Sequence, residues 1–264
     1  MKLSISRRAF LARTAAAAPL LAAPGLVRHA AAAGEPDEIA APVRTITKGP
    51  KCHWFGYYDK DQFCPNGRFA LSNEVDFEHR SPTGDDVIRV GMVDLQDKDR
   101  WIELGSSRAW NWQQGCMLQW VPGSADEVLW NDRDGDRFVC HVKAVRSGKT
   151  RTIPHPVYAL SPCGAWGVAP DFRRLNDTRP GYGYSGLPDP NRDVKAPEDA
   201  GIWKVDLKTG TQSLLFSFAD IAKIEPPGGY SKGAKHWFHQ LLVAPAGKRF
   251  VFLTRRTGEA GGKA

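Results

Sequence analysis

The chain has 264 residues, with 36 Lys and Arg against 29 Asp and Glu and a formal charge of +7, but five of the basic residues and no acidic one fall within residues 1–33. The remainder holds 31 basic and 29 acidic residues, a net +2, which removes the electrostatic case for a nucleic-acid partner. Cys52, Cys64, Cys116, Cys140 and Cys163 are odd in number and contain no CxxC pair, so no disulfide framework can be read; without Cys or Met clusters a metal-handling role is weak.

In chain order, the N-terminus MKLSISRRAFLARTAAAAPLLAAPGLVRHAAAAGEP has the layout of a signal peptide: a polar start with paired arginines, an apolar stretch from Ala15 to Val27, and small residues ending at Ala33. It is too short and Ala-rich for a permanent bilayer anchor. An Ala-rich helix of a cytosolic protein is the competing reading. Ser6-Arg7-Arg8-Ala9-Phe10-Leu11 resembles the twin-arginine export motif. That resemblance implies a periplasmic or secreted product, 1–33 removed, 34–43 a linker, and no membrane anchor after cleavage. Proteins exported by this route typically fold first, so reduced, buried cysteines are expected.

From residue 44 onward, four turn phrases recur between apolar runs: CPNGRFALS (64–72), VPGSADEVLW (121–130), SPCGAWGVA (161–169) and APAGKRFVFL (244–253). Between them lie IRVGMVDLQDKDRWIEL (88–104), RFVCHVKAVRSGKTRTI (137–153) and GIWKVDLKTGTQSLLF (201–216), hairpins rich in Val, Ile, Leu, Phe and Trp with tight polar turns. Four strands per unit at this period point to an all-β fold, a β-propeller with blades at 57–104, 115–153 and 157–218 and a partial one at 240–255. A β-sandwich also accommodates the strands, though not the repeating hairpin order. With three and a half blades, an open arc with an exposed edge is expected.

The turn phrases and the VDLKTG hairpin resemble TolB-type propeller repeats, and that resemblance covers most of 50–255. Within that group, HWFGYYDKDQFCPNGR and HWFHQLLVAPAGKRFVF are similar to segments of secreted polysaccharide lyases of the oligogalacturonate-lyase and ulvan-lyase kind, a likeness carried by few residues. It implies an acidic polysaccharide or oligosaccharide as partner, and a divalent metal on His236, His239 and Gln240, although part of that family's ligand region has no counterpart here.

In a propeller the loops between second and third strands and the crossovers between blades share one face, and here those segments are the long ones. Loops on a rigid scaffold collect binding residues. Crossovers end at the inner strands, so His53, Trp112, Gln113, Gln114, His239 and Gln240 are expected near the central channel. His236 and His239 stand three apart and, in an extended segment, point to opposite sides. HWFGYY echoes HWFHQ, which reads either as a pairing of His53 with His236 or His239 or as repeat packing with Trp and Phe as wedges. Tyr57, Tyr58 and Asp59 supply phenols and a carboxylate to the channel, or form the first inner strand. Trp110 and Trp112 share a side and suit sugar stacking or core packing. NDRDGDR (131–137) has the spacing of a calcium loop without its closing acid, or is a solvated turn. Arg173 and Arg174, with Tyr182 and Tyr184, form a lid over an acidic substrate or a loose surface loop.

Two functions follow. The first is an exported lyase that neutralises a uronate carboxylate with Arg173 or Arg174, moves protons with His53, His239 and Tyr58, and stacks sugar on Trp112 beside Gln113 and Gln114. The second is a non-catalytic periplasmic propeller that binds a glycan or a protein.

Overall fold

The computed structural model describes residues 42–224 and 233–257. Three four-stranded antiparallel sheets follow one another along the chain. They are β1 (Cys52–Trp54), β2 (Phe69–Val75), β3 (Ile88–Asp94) and β4 (Arg100–Ser107); β5 (Gln119–Trp120), β6 (Glu127–Asp134), β7 (Arg137–Ala144) and β8 (Thr150–Ile153); and β9 (Ala159–Leu160), β10 (Trp166–Pro170), β11 (Gly201–Asp206) and β12 (Gln212–Ser217). Within each sheet the strand order is the chain order. A two-stranded sheet, β13 (His236–Val243) and β14 (Phe250–Arg256), comes last. This is the meander of a β-propeller: three whole blades and the inner half of a fourth. Two short helices interrupt it, α1 (Phe172–Thr178) and α2 (Phe218–Ala222).

Alternation along the strands places apolar side chains on both faces of the middle blades, and consecutive sheets pack on them. Leu71, Ile88 and Val90 of the first blade meet Trp120, Val128 and Trp130 of the second. Leu129, Cys140 and Val142 on the second blade's other face meet Val157, Leu160 and Val205 of the third. Val168, Ile202 and Phe218 then meet Trp237, Phe238 and Leu241 of the fourth. Each large side chain buried here stabilises by about 1.5–3 kcal/mol, so face-to-face stacking holds the blades in chain order and leaves the first strand of each at the axis.

Several boundaries differ from the expectations. The first inner strand is Cys52–Trp54, ahead of residue 57, and Tyr57–Lys60 lie beyond it. The fourth inner strand, β13, already starts at His236 rather than Gln240. Asn131, Asp132 and Asp134 are strand residues of β6, paired with Cys140, Val139 and Arg137, so the calcium-loop reading fails; only a two-residue turn separates β6 from β7. The 171–200 insertion is an ordered strap. Ser185 Oγ donates to Pro82 O of the first blade (3.2 Å), Asn131 Nδ2 of the second donates to Tyr184 Oη (2.9 Å), and Tyr182 packs edge-on to His239 of the fourth. All five cysteines are free, and Cys64, Cys116 and Cys140 are buried. The proposed signal peptide lies outside the described residues.

Candidate functional site

The site begins with an irregularity in the first inner strand. Trp54 lies opposite Asn73 and Phe63 opposite Ala70, so β2 advances three residues while the inner strand advances nine. The six surplus residues leave the sheet as an excursion. Gly56 starts it with φ +128°, where a Cβ would stand 2.8 Å from the Gln114 carbonyl oxygen, so only glycine permits this approach. The excursion reaches across the axis: Gln240 Nε2 of β13 donates to Tyr57 Oη, and Lys60 Nζ lies 5.0 Å from the Tyr158 ring centroid beside β9. Tyr158 Oη in turn accepts from Gln114 Nε2 (2.7 Å), on the crossover into the second blade. All four sheets thus contribute to one polar cluster.

Charge in the cluster is concentrated by burial. The Lys60 side chain is 6% exposed, and desolvation pushes its ammonium down despite the Asp59 carboxylate 2.7 Å away. Burial pushes the Tyr57 and Tyr158 phenols up. Tyr58 is 83% exposed and stacks at an angle on Tyr57, with ring centroids 4.5 Å apart.

Beside it, a bulge in β13 gives the site its cationic wall. The register slips between His239 and Leu242, and Gln240 takes φ 55°, which turns its amide to Tyr57. His239 is buried and edge-on to Tyr182 at 5.6 Å. Arg255 Nε donates to His239 Nε2 (3.3 Å), so the neutral ring carries its proton on Nδ1, a buried donor with no partner among the described residues. Arg179 lies over the Tyr182 ring at 4.3 Å. Burial first, then the charges of Arg179 and Arg255, lower the His239 pKa to about 4. Neither arginine has a carboxylate partner among the described residues.

The structure brings Tyr58, Gln114, His239 and Gln240 together at the axis and places the other expected residues elsewhere. His53 Nε2 pairs with Glu74 Oε2 (3.0 Å) on the adjacent strand and packs edge-on to Trp101, so it is held within the first blade. Arg174 is fully buried and donates to His236 O, Asn191 O, Val194 O and Lys195 O and to Asp189, which ties it into the strap rather than the axial cluster. Arg173 borders a separate cleft of about 400 Å³ between the second and third blades with Arg137, His155 and Trp203. Trp112 donates to Arg80 O (2.6 Å) in a cluster with Trp54, Phe77 and Trp110, on the outer loop of the first blade, and Gln113 is exposed next to it. His239 is edge-on to Tyr182, the Gln240 amide is engaged by Tyr57, and burial, then the charges of Arg256 and Arg174, lower the His236 pKa. No group of three or more His, Cys, Asp or Glu side chains placed to hold a metal ion occurs among the described residues.

Lys60, Tyr158, Arg179 and Arg255 were not foreseen. For Lys60 a signal existed: FGYYDKDQ stands between an inner strand and its hairpin turn, where the second blade has no insertion. The arginines carried none, since only the strap and the bulge bring them together.

No family model matches the chain, and no curated protein does. Among solved structures it is similar to TolB from Acinetobacter baumannii, with 8% identity, a TM-score of 0.42, and coverage of 82% of this chain and 41% of that one. It is also similar to the AtxE2 isopeptidase, with 12% identity, a TM-score of 0.37, and coverage of 79% and 37%. The chain spans about two fifths of the length of these proteins.

Proposed function

We propose that the chain belongs to an exported, periplasmic or secreted, TolB-like propeller protein that binds an acidic glycan, with the uronate carboxylate taken up at the axis by Arg179 and Arg255. The observation that carries this reading is an arginine pair with no carboxylate partner among the described residues, flanking a buried His239 Nδ1–H that likewise has no partner among them, with the Tyr182 ring between. Two guanidinium groups and a neutral imidazole donor suit a planar carboxylate, and Tyr58 offers an exposed aromatic face for a sugar ring.

Binding is favoured over elimination by the state of the candidate base. An imidazole with a pKa near 4, whose Nε2 already accepts from Arg255, is a poor proton acceptor near neutral pH. Of the other two candidates, His53 is committed to Glu74, and Tyr58 stays exposed. The lyase reading therefore rests on Tyr58 and on the resemblance.

Calorimetric titration with uronate oligosaccharides and their neutral counterparts tests the proposal. Arg179→Met and Arg255→Met should each weaken uronate binding about tenfold, the scale of one charge-assisted contact, and leave neutral sugars unaffected. Equal affinity for charged and neutral glycans would remove the proposal. A rise in absorbance near roughly 235 nm during the same titration, from an unsaturated uronate produced by acid–base elimination, would restore the lyase.

A further inference from the structure

We propose that the end of the axial site built by Asp59, Gln114 and Tyr158 receives neutral hydroxyl groups of the bound sugar, so that the preferred ligand is a uronate with free ring hydroxyls directed away from its carboxylate. This rests on the acidic-glycan reading above and adds the chemistry and orientation of the ligand's other end.

The inference comes from which polar atoms are left over. Asp59 Oδ2 accepts from Lys60 at 2.7 Å, while Oδ1 is buried and has no hydrogen-bond partner among the described residues. Gln114 donates through Nε2 to Tyr158 and through its backbone N–H to Asn111 Oδ1 (2.8 Å), while Oε1 is likewise buried and has no partner among the described residues. Tyr158 Oη accepts from Gln114, which leaves its own proton to give. Lys60 connects the two acceptors, bound to Asp59 and lying over the Tyr158 ring. Buried acceptors without donors are rare because each has given up water for nothing, so water or a ligand must complete these two.

The charge already present selects the donor. A ligand ammonium would stand beside the Lys60 ammonium, and two like charges in a desolvated site repel. A ligand carboxylate would meet Asp59 in the same way. A hydroxyl avoids both conflicts: it donates to Asp59 Oδ1 or Gln114 Oε1 and accepts from Tyr158 with one and the same group. At the opposite end, His239 Nδ1–H with Arg179 and Arg255 offers only donors. The site is thus acceptor-rich at one end and donor-rich at the other, a polarity that a uronic acid ring with free hydroxyls matches.

The test uses the unmodified protein and four ligands in calorimetric titration: a short uronate oligosaccharide, its carboxyl-reduced form, its deoxy form with ring hydroxyls replaced by hydrogen, and an amino form with one hydroxyl replaced by ammonium. The parent should bind best, with the deoxy and amino forms about tenfold or more weaker, the scale of losing one or two hydrogen bonds to buried groups. If the deoxy form binds like the parent, the hydroxyl inference fails while the acidic-glycan reading stands. If the amino form binds more tightly than the parent, the end is a cation site and the inference fails as well. If the carboxyl-reduced form binds like the parent, the acidic-glycan reading itself fails. Absence of binding by all four would overturn both.

Discussion

At the residue scale, the two arginines that a uronate reading first singled out divide sharply. Arg174 spends its guanidinium on four backbone carbonyls and the buried Asp189, joining α1, the 189–195 segment and β13. Replacing it with Met should cost about 3–5 kcal/mol, because Asp189 keeps a buried charge without its partner. Lys should not rescue, since one ammonium cannot match the fork; urea unfolding of both variants checks this. His239 makes a second prediction. Its folded pKa of about 4 lies below the 6.5 of an ordinary histidine, so between these values the unfolded chain binds a proton that the folded one refuses. Stability from this group is therefore intact above about pH 6.5 and falls as the pH drops toward 4, by about 2 kcal/mol between pH 7 and pH 5. His239→Gln should flatten that part of the urea midpoint profile, and an unchanged profile would show that His239 is protonated normally.

At the element scale, the strap between β10 and β11 does most to shape the loop-rich face. Asp171 caps α1 by accepting from the backbone N–H groups of Arg173 (3.0 Å) and Arg174 (3.2 Å). The chain then doubles back so closely that a Cβ on Gly183 would stand 2.1 Å from the backbone nitrogen of Asn176. Because the obstacle is backbone rather than the end of a flexible side chain, Gly183→Ala should cost about 1–3 kcal/mol by overpacking. The loss should fall on the strap, seen as faster proteolysis at 171–200 with the sheets still protected. Uniform loss of protection across all blades would show that the strap unfolds only with the whole. The β13 bulge is the other local device: one surplus residue redirects Gln240 to Tyr57 without disturbing the Phe238 side of the strand.

At the scale of the whole molecule, stacking of consecutive blades leaves the fourth sheet covered on one face. Phe250 and Phe252 pack toward the third blade, while Leu242, Val251 and Leu253 are 50%, 64% and 41% exposed on the other side. Among the described residues β14 has no strand partner beyond β13. An apolar face beside an unpaired edge favours pairing with another chain. This chain should therefore associate as its concentration rises, and Val251→Lys with Leu253→Lys should return it to a monomer in sedimentation velocity. Monomeric behaviour of the parent at high concentration would contradict the expectation.

The sequence by itself determined the blades, because a four-strand meander is written locally, in period-two alternation and in the turn chemistry of PNG, PGS, PCG and PAG, and face-to-face packing merely used it. FGYYDKDQ, where the first blade was expected to open at residue 57, instead forms the excursion that carries Tyr57 to Lys60. Which side chains meet at the axis was decided by the tertiary structure alone. HWFGYY and HWFHQ look equivalent as strings, yet β1 turns His53 into its own blade while β13 holds His239 toward Tyr182. Arg173 and Arg174 are adjacent, yet the α1 turn sends one to a cleft and buries the other. The physical reason is range: strand and turn propensities act over a few residues, whereas the partners of Arg174, His239 and Gln240 stand 15 to 183 residues away, and their pairing follows from a register slip and a strap that no local pattern encodes.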